Sequence, residues 1–297
     1  MVTVAIAGGG SGIGLAIVRA ILNSKRYEVV VLSRSNRADL VTLGVDIRIA
    51  DYGSAQQLKE SLTEVHTVIS CISTYGADSV SAELNLLEGA KQAGVVRFVP
   101  SEWATDCHDI VDLYSDKDTV WEAVKSSGLE YTRFINGLWM NVWGPGCVRD
   151  KEEALGGYTG LPFAFDLRAG TATIPGDGSQ KVALTTMQDI GRFVAASLEL
   201  PRWQPESRIV GDKLSFIEVA HLVKTICGKD LRATYVSIEE LSATLEGERD
   251  VGKRFYYQLL SAIAQGRMDF KPTLNGLFSD VKPMSVAEYL KRYWTTE

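Results

Sequence analysis

The amino-acid sequence predicts an α/β protein, a doubly wound parallel sheet with a smaller, mostly helical C-terminal part. Three observations carry this expectation. Short β-branched runs alternate with helical patterns from Val2 to Asn136. The stretch "AGGGSGIG" (Ala7–Gly14) places five glycines and a serine after the first of those runs, where a strand would turn into a helix. After Asn136 the alternation weakens into loops and amphipathic helical patterns. Strands separated by helices return to the same sheet by right-handed crossovers, and such a sheet is parallel.

The elements follow in order. "VTVAIAG" (Val2–Gly8) is the first strand, and Ser11 to Leu22 has apolar residues at Ile13, Ala16, Ile17, Ala20 and Ile21, which is helix spacing. "EVVVLSR" (Glu28–Arg34) and "VDIRIAD" (Val45–Asp51) are the second and third strands, and Gln56 to Leu62 is helical. "HTVISCIS" (His66–Ser73) is the fourth strand, followed by a helix from Ser81 to Ala93 with Gly94 as its C′ cap. "VVRFVPSE" (Val95–Glu102) is the fifth strand, Lys117 to Ser127 a helix, and "EYTRFIN" (Glu130–Asn136) the sixth strand. Beyond it, "GTATIPGDGSQKVALTT" predicts a hairpin around Gly176–Gly178. Met187–Leu198, Phe216–Ile226, Ile238–Leu245 and Phe255–Gln265 predict further helices. This gives a dinucleotide-binding domain over 1–150, to which 180–200 returns, and an interleaved substrate-binding part over 151–297.

Composition narrows the function classes. A net charge of −6 and no long Lys/Arg block argue against a nucleic-acid partner. Cys71, Cys107, Cys147 and Cys227 lack paired ligand spacing, so neither a zinc site nor a disulfide framework is predicted. No charge-free stretch reaches membrane-spanning length, and the N-terminal apolar run breaks at Gly8, too early for a signal peptide. A cytoplasmic protein without a metal or membrane partner is expected, as a monomer or homodimer.

The glycine turn answers to a phosphate. Bare backbone at a strand–helix turn lets a pyrophosphate approach, and the helix N-terminus adds free N–H groups and a favourable dipole. Gly8, Gly10, Ser11, Gly12 and Ile13 are the candidates. Twenty residues past Gly14 the second strand ends in "LSRSNR" rather than an acid. An acid there would select a ribose 2′-hydroxyl, whereas Arg34, with Ser33, Ser35 and Arg37, suits a 2′-phosphate. NADP(H) is therefore expected over NAD(H). Asp51, ending the third strand, can reach an adenine edge; a polar cluster around an N-cap at Ser54 explains it equally well.

These residues resemble the atypical short-chain dehydrogenases of the NmrA-like and isoflavone-reductase-like group, in its fungal-type branch. The resemblance spans nearly the whole chain through the glycine turn, Arg34, "VISCIS", "VVRFVPSEW", "YSDKDTVWEAVKSSGLEYT", "IPGDGSQKVALTTMQDIGRFVAASLELPRW" and "GDKLSFIEVAHLVKTICGK". "RFVPSEW" is its most specific part. Ser11 stands where the group has its middle glycine, so the turn also reads as the GxxxGxG of ordinary short-chain dehydrogenases.

Ordinary short-chain dehydrogenases use a Tyr-x-x-x-Lys pair, and this chain has Tyr114-Ser-Asp-Lys117. The isoflavone-reductase-like group lacks the tyrosine and assigns proton transfer to the lysine. The resemblance thus makes Lys117 the leading catalytic and cofactor-contacting candidate, with Tyr114 still open on helix geometry. The other loops that leave the strands' C-terminal ends face the ligand in open α/β sheets. Cys71, Ile72 and Ser73 should pass the cofactor ribose, and Pro100 and Ser101 should flank the nicotinamide, with Asn136 beyond. Tyr75, Glu102, Trp103, Trp139, Met140 and Trp143 are candidates for a flat, apolar substrate, although Trp143 fits core packing equally well. The expected function is an NADPH-dependent reductase of a small aromatic or polyketide-like metabolite of secondary metabolism. The alternative is a non-catalytic NADP(H)-binding redox sensor acting through a protein partner.

Overall fold

The structure is a computed structural model that describes residues 1–73 and 78–296, with the side chains of Ala38 and Asp39 left aside. β1 (Val2–Ala7), β2 (Tyr27–Ser33), β3 (Asp46–Ile49), β4 (Thr67–Ser70), β5 (Arg97–Val99) and β6 (Glu130–Tyr131) form one six-stranded sheet. Its order is β3-β2-β1-β4-β5-β6, and every neighbouring pair is parallel. The doubly wound parallel sheet expected from the alternation is present, with the strand order reversing between β1 and β4.

Burial explains why the strands were legible. Val4, Ala5, Ile6 and Ala7 of β1 are fully buried, as a central strand covered on both faces requires. On one face, Ala5, Leu32, Val68 and Phe98 pack with Leu58 of α3 (Ala55–Ser61), Leu86 of α4 (Ser79–Ala93) and Trp121 of α5 (Ser115–Lys125). α1 (Gly12–Ser24) turns Ile13, Ile17, Val18 and Ile21 inward. A four-residue helix, α2 (Ala38–Val41), lies between β2 and β3. Gly94 ends α4 in the left-handed region at φ 76°, and the Ser54 hydroxyl accepts the Gln57 N–H that opens α3.

The sixth predicted strand divides. β6 pairs with β5, but β7 (Arg133–Ile135) pairs in parallel with Glu206–Arg208. The break falls at Thr132, whose hydroxyl lies 2.9 Å from that of Ser207. Arg97, only 8% exposed, fixes the returning segment: its guanidinium donates to the carbonyls of Leu198, Leu200 and Pro201 and to Glu130.

The chain forms two compact units, Met1–Trp103 with Leu113–Ile135 and Ile190–Arg208, and Ala104–Asp112 with Asn136–Asp189 and Ile209–Glu297. The division thus departs from residue 150, and the segment that returns to the first unit is 190–208 rather than 180–200. The second unit holds more helix than strand, as expected, but it is not helical alone. It carries two three-stranded sheets, Phe165–Asp166 and Arg232–Val236 flanking Thr171–Pro175, and Leu138–Trp139 and Asp212–Ser215 flanking Lys181–Thr185. Its helices include Phe216–Cys227, Ile238–Gly247, Val251–Ala264 and the unforeseen Val286–Trp294. The predicted hairpin is corrected here. The chain does turn at Gly176 and Gly178, both at positive φ, but the flanking strands enter different sheets because each finds other partners.

A Cβ on Gly14 would lie 2.3 Å from the carbonyl oxygen of Gly8. Alanine elsewhere in a helix interior stabilises by about 0.8–1 kcal/mol over glycine. Here Gly14→Ala is expected to do the reverse, costing about 1–3 kcal/mol in denaturant unfolding, as overpacked cores do.

Candidate active site

The C-terminal ends of β1 to β4 open onto a groove of about 1190 Å³. Its floor is Gly8, Gly9, Gly10 and Ser11, and its walls include Ser33, Arg34, Arg37, Asp51, Gln57, Cys71, Ile72, Ser73 and Asn85. Gly8 sits at φ 76°, and a Cβ there would lie 2.4 Å from the carbonyl oxygen of Cys71. No side chain fits between the end of β1 and the segment after β4. Ser11 is the N-cap of α1, in an extended conformation with no side-chain cap bond. Arg37 reaches back across the turn and donates from Nη2 to the carbonyl of Gly10 at 2.8 Å. Arg34 is exposed on the rim. Asp51 serves both readings of its cluster: it lines the groove while its Oδ1 accepts the Gly53 N–H, and Ser54 caps α3.

A second, much smaller pocket lies among α4, the segment after β5, and α5. Lys117, on the first turn of α5, is 7% exposed and lines it with Glu83, Ser101 and Glu102. The Lys117 ammonium is 3.8 Å from Glu102 Oε2 and lies over the Tyr114 ring, 4.8 Å from its centroid. Burial lowers the Lys117 pKa, while the carboxylates of Glu102 and Glu83 push it back up. Lowering the pKa of a buried lysine brings its proton closer to release at working pH.

The groove gathers Gly8, Gly10, Ser11, Ser33, Arg34, Asp51, Cys71, Ile72 and Ser73 from the predicted set. Gly12 opens α1, Ile13 turns its side chain into the core, and Ser35 is exposed beyond Ser33. Pro100, Ser101 and Lys117 line the smaller pocket instead. Asn136 is fully buried in the second unit, where its Nδ2 donates to the Gly137 carbonyl. Tyr75 lies outside the described residues.

Three of the aromatic and thioether candidates are corrected. Trp103 is a packing residue, donating from Nε1 to the Ser70 carbonyl at 2.8 Å and stacked on Phe134 at 5.3 Å. Met140 and Trp143 are 0% and 1% exposed, and Trp143 donates to the Phe163 carbonyl, so both belong to the core. Trp139 remains half-buried, and Glu102 faces Lys117. Sequence reasoning missed Glu83, Gln57 and Asn85. Glu83 had a signal: it lies three and four residues before the buried Leu86 and Leu87, a charge on the apolar stripe of α4.

Residues 2–290 match the NmrA-like family. The chain belongs to that family. Its NmrA-like relatives include the oxidoreductase BOA1 of Botryotinia fuckeliana, 34% identical over 77% of each chain. A bifunctional pinoresinol-lariciresinol reductase of Linum album is 25% identical over 98% of this chain and 94% of its own. Among solved structures, AtPrR2 with NADP+ and (+)pinoresinol has a TM-score of 0.79 at 22% identity over 98% of both chains. A ternary complex of leucoanthocyanidin reductase from Vitis vinifera has a TM-score of 0.77 at 20% identity over 97% of both. These neighbours share the NmrA-like fold, and the curated relatives are oxidoreductases and reductases.

The turn glycines separate by what a methyl group would meet. At Gly10 it would meet the guanidinium end of Arg37 at 2.3 Å, a flexible tip; at Gly8 it would meet backbone. Thermal unfolding should therefore find Gly10→Ala near parental stability, and Gly8→Ala weaker by about 1–3 kcal/mol from strain at positive φ.

Proposed function

We propose that this chain is an NADPH-dependent reductase. It would pass hydride to a carbonyl, imine or activated double bond of a small aromatic or polyketide-like metabolite, with Lys117 as the proton donor. The observation that carries the proposal is the burial of the Lys117 ammonium in a carboxylate-lined pocket, in a chain whose relatives are oxidoreductases. Burying an ammonium costs several kcal/mol, which a lysine on a helix start avoids by extending into water. The reductases of pinoresinol and lariciresinol among the relatives support an aromatic substrate.

The residues of the groove fit NADP(H). The bare backbone of Gly8, closed to any Cβ, and of Gly10, with the N-terminus of α1, would take the pyrophosphate. Arg34 and Arg37, with Ser33 and Ser35, would take the 2′-phosphate, and Asp51 the adenine side. Cys71, Ile72 and Ser73 would pass the nicotinamide-side ribose. The bound cofactor supplies the hydride. Lys117 holds the proton at Nζ and gives it to the oxygen, nitrogen or carbon that gains negative charge, while its burial excludes bulk water.

Two measurements test this reading. A charge-assisted contact of about 1.5–3 kcal/mol favours NADPH over NADH by roughly tenfold or more. Arg34→Asp should narrow or invert that preference in calorimetric titration, and equal parental affinities for the two cofactors would sink the 2′-phosphate assignment. In a screen for substrate-dependent NADPH oxidation, Lys117→Ala should lower turnover by about 10²–10⁴. Tyr114→Phe keeps the ring beneath Lys117 and should retain most of the rate. NADPH binding with no turnover across carbonyl, imine and enone substrates would transfer the chain to the dinucleotide sensors.

A further inference from the structure

Behind Lys117 stands a second buried carboxyl group. Glu83 is 3% exposed, with Oε2 accepting from the Ser70 hydroxyl at 2.8 Å and Oε1 from the Ser101 N–H at 3.0 Å. It shares the smaller pocket with Ser101, Glu102, Asp116 and Lys117, and the pocket's volume is about 10 Å³. That is room for one water molecule, and the lining offers it polar partners. Asp116 is exposed at the same pocket, which gives protons a route from solvent.

Charge balance says where a proton rests. Glu83, Glu102 and Lys117, all ionised, would bury a net charge of −1, and one proton on a carboxyl removes it. Burial places that proton on Glu83, raising its pKa to about 7 against the hydrogen bonds from Ser70 and Ser101 and the attraction of Lys117. Glu102 repels its charge further. Cys71 and Tyr52 also face Glu83; their pKa values are pushed up by burial and then by its charge, so both stay neutral. Arg133 faces Lys117 and opposes its positive charge.

We propose that Glu83 is the proton store that recharges Lys117 through a water molecule held in this pocket. The inference rests on Lys117 being the proton donor. When a Lys117 N–H bond breaks toward the reduced substrate, the neutral amine takes a proton from the water. The water regains one from the Glu83 carboxyl, which becomes a carboxylate until solvent returns the proton. Only protons move in the relay, and no electrons.

Glu83→Gln keeps the shape and cannot release a proton. It should lower steady-state turnover roughly tenfold or more, short of the 10²–10⁴ of a direct donor. A single turnover begun with Lys117 charged should keep its parental rate, and Glu83→Asp should recover part of the steady-state loss. Lys117→Ala is measured alongside. If Lys117→Ala turns over as the parent does, the donor assignment falls and takes the relay with it. If Lys117→Ala is inactive while Glu83→Gln is parental, or if Glu83→Gln loses single-turnover and steady-state rates equally, the relay alone is overturned.

The proton itself is read without activity. The folded Glu83 holds a proton that the unfolded chain has lost between pH 4.5 and about 7, so its contribution to stability falls as pH rises through that window. The Tm of Glu83→Gln relative to the parent should therefore climb across the same window and level off above it. A flat difference would show that Glu83 stores no proton there and would overturn the proposal.

Discussion

The end of β1, the first turn of α1 and the segment after β4 meet backbone to backbone. A Cβ on Gly8 would stand 2.4 Å from the Cys71 carbonyl oxygen, and one on Gly14 2.3 Å from the Gly8 carbonyl oxygen. This contact fixes where α1 begins, and so where its free N–H groups point. It also brings Cys71 and Ile72 to the edge of the groove that the glycines floor. On the other side, β2 pairs in register with β1 and β3 with β2, so Ser33, Arg34 and Asp51 end at the same rim. One close approach thereby assembles residues from four strand ends.

The next link is polar. β4 and β5 are only four and three residues long, yet their ends are cross-tied. Glu83 accepts from Ser70 and Ser101, the Ser101 hydroxyl donates to the Ile72 carbonyl at 2.9 Å, and Trp103 donates to the Ser70 carbonyl. Buried hydrogen bonds between neutral groups contribute about 0.5–1.5 kcal/mol each. These ties place Glu102 against Lys117. Apolar residues of similar volume would fill the same space at less desolvation cost, so three buried ionisable groups are weak evidence for stability and better evidence for chemistry.

The fold was legible because a strand covered on both faces must be apolar along its length. Val4 to Ala7, Val29 to Leu32 and Val68 to Ile69 meet that condition, and each reads as an unbroken run. The glycine groove was legible for the same kind of reason, since backbone approach leaves few residue choices. Pairing partners were not. Gly176 and Gly178 signal a turn, but nothing local states that Thr171–Pro175 pairs with Arg232–Val236 while Lys181–Thr185 pairs elsewhere. The split at Thr132 likewise depends on Ser207, far along the chain. Among aromatic residues, composition does not separate a ligand face from a core: Trp139 and Trp143 lie four residues apart, and only the second is enclosed. Glu83 went unread because a single acid on a helix stripe carries no motif.

The spacing of Tyr114 and Lys117 decides how their side chains meet. Tyr114 is the N-cap residue of α5, and Lys117 sits on the first turn. Side chains on a helix lean toward its N-terminus, so a lysine three residues on folds back over the residue before the helix. The ammonium accordingly lies above the Tyr114 ring face, 4.8 Å from the centroid. A ring face attracts the cation with about 0.5–2 kcal/mol and has no proton to exchange. In that geometry the tyrosine offsets part of the cost of burying Lys117 and leaves Nζ to exchange its proton. On the proposed mechanism, shortening Tyr-x-x-x-Lys by one residue would make the tyrosine a seat for the lysine and leave the proton to Lys117.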